Sequence, residues 1–81
     1  MPLTYYVALP FTQTEDGLTA GEAQECQSEG AAIRRAEGML RNPQNVGAIA
    51  FKRSGDPNVG EFSDAVVLKS FGDVPKDLSE L

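Results

Sequence analysis

The chain contains no histidine and no tryptophan, and Cys26 is its single cysteine. Without histidine it lacks the commonest general base and the commonest metal ligand in proteins. A Ser-His-Asp or Cys-His catalytic site within one chain is therefore excluded. A structural zinc site needs several cysteine or histidine ligands, so it is excluded too. The sequence predicts no catalytic residue, no metal ligand and no cofactor.

The single cysteine also rules out a disulfide within the chain. Small secreted domains are commonly held together by disulfides, so we expect a reducing compartment, the cytoplasm. We expect Cys26 to behave as a small buried apolar residue. The apolar run at the N-terminus lacks a basic flank and ends early in a turn, which predicts no signal peptide. No segment has the roughly 18 apolar residues of a membrane-spanning helix.

Basic residues are scarce: seven lysines and arginines stand against twelve acidic residues, for a net charge of −5. Nucleic-acid binding depends on neutralising phosphates with positive side chains. Anionic membrane surfaces attract proteins through the same kind of charge. The composition therefore predicts that the protein binds neither nucleic acid nor membranes.

What the chain does contain is the composition of an ordinary small globular domain. It has 81 residues, of which 41% are hydrophobic and 23% charged. This length allows one domain with a thin core. We expect a single α+β domain over residues 1–73, followed by a C-terminal tail over residues 74–81.

The first half of the sequence predicts a hairpin followed by a helix. Residues 4–9 are aromatic, β-branched and apolar, as in a buried strand, and Pro10 limits pairing near its end. Asp16-Gly17 is a turn signal. Residues 18–26 then form either an edge strand paired with the first or an extension of the following helix; the turn favours the strand.

The helix has a capping residue and an apolar stripe. Ser28 is suited to cap its N-terminus, and the Asn42-Pro43 pair ends it. At 100° per residue, one apolar face is formed by Ala32, Ile33, Ala36, Met39 and Leu40. The opposite face carries Arg34, Glu37, Gly38 and Arg41.

The second half predicts another hairpin. Residues 46–53 form a third strand, residues 54–60 a loop rich in turn residues, and residues 64–71 a fourth strand. The order is β-β-α-β-β: a four-stranded, largely antiparallel sheet with one helix packed on one face.

The apolar pattern also suggests which strands and faces are buried. The strands around Val7 and Val67 are apolar on both faces, which favours central positions. We expect Ile33 and Leu40 of the helix to pack on one set of sheet residues: Val7, Leu9, Phe51, Val67 or Phe71. The other face would then be open and would show Tyr5 or Tyr6 with several of Ala8, Val66 and Leu68.

Four segments, residues 31–37, 46–51, 54–57 and 65–75, resemble a group of small bacterial proteins of similar length. The resemblance extends over nearly the whole chain. It implies no activity, no cofactor and no site residue, because none is attached to that group.

Five of the seven basic residues form the candidate ligand-binding set: Arg34, Arg35, Arg41, Lys52 and Arg53. Two functions follow from the pattern. The first is an interaction module without enzymatic activity, most simply a homodimer or a protein complex formed through the open sheet face or along an edge strand at residues 46–53. The alternative is a binder of small anionic ligands, or an enzyme, that uses these arginines. A solvated surface on which Glu37 pairs with Arg34 or Arg41 is the structural alternative.

Overall fold

A computed structural model describes residues 3–56, 58–63 and 65–75. Its elements are β1 (Leu3–Thr14), β2 (Gly17–Ala20), β3 (Gln24–Cys26), α1 (Glu29–Met39), β4 (Asn45–Asp56), β5 (Glu61–Phe62) and β6 (Val66–Gly72). All strand pairs are antiparallel. The α+β fold predicted from the sequence, with one helix packed on an antiparallel sheet, is confirmed.

The two long strands, β1 and β4, pair with each other and form the middle of the sheet. On the outer side of β1, β2 and β3 follow one another along the same edge, and β5 and β6 do so along β4. The strand at residues 46–53 is thus central and offers no free edge. The strand containing Val67 lies at the edge of the sheet, so its predicted central position is wrong. That prediction was based on its two apolar faces, and a strand with two apolar faces can also lie at an edge.

The first hairpin forms at the predicted turn. Thr14 pairs with Gly17, and the positive φ of this turn, 108°, belongs to Gly17 alone. Residues 18–26 are strand rather than helix, with an interruption at residues 21–23. The carbonyl of Pro10 accepts a hydrogen bond from the Gly21 amide at 2.8 Å. A strand residue directs its N–H and its C=O to the same side, so the N–H that Pro10 lacks is missing toward β2 and β3, which explains the interruption there.

The helix begins as the sequence predicts. Ser28 is its N-cap, and the Ser28 hydroxyl oxygen accepts a hydrogen bond from the Ala31 amide at 3.1 Å. The helix packs on the sheet through alanines. Five of them, all fully buried, form one cluster: Ala8, Ala32, Ala36, Ala48 and Ala50. Small side chains on both layers allow the helix to lie close to the sheet.

This arrangement reverses the predicted faces. Tyr6, Ala8 and Leu68 lie on the helix side, and Ile33 packs there with the alanine cluster and Phe71. Of the residues expected under the helix, Phe71 is there, but Val7, Leu9 and Phe51 lie on the opposite side, in a second cluster with the buried Phe11 and Ile49. Alternation along a strand separates side chains into two sets, but it does not say which set the helix covers. Leu40, expected in the core, is the C-cap residue of the helix and is half-buried.

Residues 72–75 fold across the second face. Gly72 turns the chain with a φ of 67°, and the Asp73 amide donates a hydrogen bond to the Val46 carbonyl at 2.9 Å. A Cβ on Gly47 would overlap the Asp73 carbonyl, which shows how closely the two backbone segments approach each other. Val74, which the sequence assigned to a tail, therefore packs on the second cluster. The remainder of that tail, residues 76–81, lies outside the described residues.

Candidate functional site

The outer face of α1 is fixed in orientation by the alanines of its inner face. Because Ala32 and Ala36 are buried against the sheet, the side chains of Arg34 and Arg35 project into solvent. Beyond the last helical turn, Arg41 is also exposed. The packing of Ala32 and Ala36 against the sheet thus fixes the orientation of the helix, and with it the positions of three of the seven basic residues on the surface.

These three arginines lie along one groove between the helix and the edge of the sheet. The groove has a volume of about 530 Å³. Its walls are formed by Gln24, Ala31, Arg34, Arg35, Gly38, Met39 and Arg41. We call this feature the arginine groove. Three guanidinium groups and one amide line it, and none of its lining residues carries a carboxylate.

Gly38 lies between the arginines on the surface of the helix. Arg34 and Arg35 precede it by four and three positions and Arg41 follows it by three, which are the spacings of neighbours on one helix face. A Cβ built on Gly38 would meet nothing within 4 Å. The absence of a side chain at this position leaves space between the positive groups.

The expected pairing of Glu37 with the arginines is not present. Among the described residues, no hydrogen bond or ion pair engages the guanidinium groups of Arg34, Arg35 or Arg41. Glu37 has the i, i+4 spacing for Arg41, but such exposed pairs contribute only about 0.3–0.5 kcal/mol. The guanidinium groups can therefore engage a ligand without breaking an existing ion pair.

The C-terminus of α1 gives Arg41 a structural role as well. Cations stabilise the negative end of a helix dipole. The Met39 carbonyl at this end accepts a hydrogen bond from the side-chain amide of Asn45 at 2.8 Å. This explanation does not extend to Arg34 and Arg35, which lie in the middle of the helix.

The other two residues of the predicted set lie elsewhere. Lys52 pairs with Tyr6 and Val66 across the sheet, and Arg53 pairs with Tyr5. Neither lines the arginine groove. Neighbouring residues of a strand point to opposite faces, so Lys52 and Arg53 cannot contribute to one site on one face. The structure brings together three of the five predicted residues.

Sequence reasoning missed four residues of the groove: Gln24, Ala31, Gly38 and Met39. Ala31, a small apolar residue, had no signal. Gly38 had a usable signal, since a glycine inside a helix needs a reason. Met39 was assigned to the apolar stripe, and it is partly buried against the alanine cluster. Gln24 had no signal, because its position depends on how β3 pairs with β1.

Comparisons with family models, with curated proteins and with solved structures found no match for this chain. The resemblance to small bacterial proteins therefore stays a prediction. Among the described residues, no helix has both the length and the apolar character needed to cross a membrane.

Proposed function

We propose that the protein is a small binding module, without catalytic activity of its own, that holds an anionic ligand in the arginine groove. The observation that carries this proposal is the set of three guanidinium groups that line one groove and make no ion pair among the described residues. Arginine is suited to this role because its planar fork donates paired hydrogen bonds to phosphate or carboxylate oxygens. The groove offers guanidinium, amide and apolar groups, which favours binding over catalysis.

Electrostatics supports a ligand at this position. Arg34 and Arg35 on the helix and Arg41 just beyond its C-cap place three like charges within eight residues, in a chain whose overall charge is −5. Like charges held close together raise the free energy of the folded state. An anion bound among the three arginines would offset this cost. No residue that lines the groove carries a carboxylate that could do so.

The overall charge favours a small ligand over a macromolecule. Charges are screened over about 8 Å at physiological ionic strength, so a small anion in the groove responds mainly to the arginines. A nucleic acid or an acidic protein would extend beyond the groove and meet the acidic remainder of the surface. The sequence-based prediction of no nucleic-acid binding is thus part of this proposal.

The homodimer expected from the sequence finds less support. Its first surface, the apolar sheet face, is formed by residues that are buried within the chain. Its second, the strand at residues 46–53, is central. The exposed apolar residues at the β6 edge are Val66 and Val67, 52% and 38% exposed. A register shift in the pairing of β6 with β4 and the charged Lys69 disfavour edge-to-edge pairing there. We therefore propose a monomer.

We further propose that the protein works in a reducing compartment, with the cytoplasm as the expected location. Cys26 is the single cysteine, and its thiol is free. The fold forms its core without a disulfide, so an oxidising environment is not needed for its stability.

Isothermal titration calorimetry of the full chain with inorganic phosphate, at low ionic strength, tests the proposed binding. We expect saturable binding to the native chain and an affinity about tenfold weaker for Arg35→Gln, from the loss of a charge-assisted hydrogen bond. Lys52→Gln is the matched control, because it removes the same charge from β4 and should change the affinity less than about twofold. Absence of binding to the native chain, or equal weakening by both substitutions, would contradict the proposal.

A further inference from the structure

The helix contains a glycine that neither its backbone nor its packing explains. Gly38 is the second-last residue of α1, and the glycines with positive φ in the described residues are Gly17, Gly60 and Gly72. Gly38 therefore has a backbone conformation open to any residue. An added Cβ would meet nothing within 4 Å, so no neighbour requires a small residue either. Glycine in a helix interior costs about 0.5–1 kcal/mol relative to alanine, which is the upper bound for a position in the last turn.

The location of Gly38 gives a reason for this cost. It forms part of the wall of the arginine groove, and its neighbours on the helix surface are Arg34, Arg35 and Arg41. A side chain at position 38 would occupy open space in the groove that the three arginines also line. We infer that Gly38 is a specificity-determining residue, which keeps this space free for a compact anion that the arginine side chains bind. This inference rests on the proposed function.

The number and type of donors indicate the class of ligand. A phosphate monoester carries a charge of about −1.5 to −2 at neutral pH and has three strong acceptor oxygens. Three guanidinium groups can satisfy that number of acceptors, whereas a monocarboxylate offers two oxygens and a single charge. Ala31 and Met39 add apolar contacts beside the charged groups, where the organic part of an ester can lie. The ligand we infer is a small phosphate monoester.

The test compares Gly38→Ala with the native chain, using phenyl phosphate and acetate as probes. Calorimetry should show that phenyl phosphate binds the native chain at least about tenfold more tightly than acetate does. For Gly38→Ala, we expect phenyl phosphate binding to weaken by about tenfold, while thermal unfolding shifts to higher temperature as alanine replaces glycine in the helix.

Ser70→Thr is the control, because it also adds one methyl group, but at an exposed position of β6 that does not line the groove. We expect this variant to retain native affinity to within about twofold.

The outcomes separate the inference from the proposed function. If Arg35→Gln weakens binding but Gly38→Ala does not, the groove binds anions but the inference that Gly38 determines specificity is wrong. If Gly38→Ala lowers the unfolding temperature, the glycine is structural and the inference fails. Tighter binding of acetate than of phenyl phosphate would overturn the ligand class. If the native chain binds neither probe, the inference and the proposed function both fail.

Discussion

At the scale of the residue, small alanine side chains determine which face of the sheet packs against the helix. The alanine cluster consists of residues with no exposed surface, three from the sheet and two from α1. Each contributes little buried apolar area by itself, but together they allow close contact between the helix and the sheet. The larger side chains Leu9, Phe11, Ile49 and Phe51 fill the opposite face instead. The volume of the side chains, and not only their hydrophobicity, determines which face of the sheet packs against the helix.

We predict that enlarging one alanine of this contact destabilises the fold. Ala36→Leu adds three carbons where the helix has no free space, so the free energy of unfolding should fall by about 1–3 kcal/mol. Urea denaturation followed by circular dichroism measures it. Leu40→Ala is the comparison: Leu40 is half-buried, so its truncation should cost less than the roughly 2–5 kcal/mol of a fully buried leucine. A neutral Ala36→Leu would show that the helix lies farther from the sheet.

A second prediction at this scale concerns Gly47. A Cβ here would overlap the backbone of Asp73, and backbone atoms cannot move aside as a flexible side chain can. Gly47→Ala should therefore cost more than about 2 kcal/mol and release Val74 from the second cluster. Gly38→Ala makes the same change in open space and should stabilise the chain. Equal effects of the two substitutions in thermal unfolding would contradict the described crossing of residues 72–75 over β4.

At the scale of the element, the sequence predicted what local chemistry controls. The turn at Asp16-Gly17 and the N-cap Ser28 depend on near neighbours, and the structure has both of them. The helix ends earlier than the Asn42-Pro43 pair predicts, at Met39 with Leu40 as its C-cap. The order of the strands and the faces of the sheet depend on contacts between distant residues. An apolar strand such as β6 can lie at an edge, and Lys52 and Arg53 separate because of alternation within a long strand. For the same reason, the sequence named the arginines of the groove but not Gln24.

The helix cap gives a prediction at the element scale. Ser28→Ala removes the acceptor of the Ala31 amide, and loss of such a cap typically costs about 1 kcal/mol. Ser28→Asp retains an acceptor and adds a negative charge at the positive end of the helix, so it should preserve native stability. Chemical denaturation of the two variants measures the difference. An unchanged midpoint for Ser28→Ala would show that the cap contributes nothing to stability.

At the scale of the whole molecule, a small acidic chain forms two apolar layers and concentrates positive charge in one groove. Both sheet faces carry buried side chains: the helix side through the alanine cluster, and the other side through the cluster that Val74 joins. A chain organised in this way does not need a second copy to bury a bare face. The unusual feature of its surface is electrostatic rather than apolar.

This organisation predicts a monomer. Sedimentation velocity at high protein concentration should show a single species at the chain mass of 8.7 kDa. Val67→Lys, which adds a charge at the exposed β6 edge, should leave the sedimentation coefficient unchanged. A species of twice the mass that Val67→Lys dissociates would instead identify the β6 edge as a dimer interface.

NMR titration of the labelled full chain with inorganic phosphate shows directly whether the arginine groove binds a small anion. The spectra should include the backbone amides and the Nε–H groups of the arginines. We predict saturable shifts at Arg34, Arg35, Gly38 and Arg41, with Lys52 and Lys69 unaffected. Shifts that do not saturate, or that spread evenly over all basic residues, would contradict the proposed binding, because they would show ionic screening rather than a site.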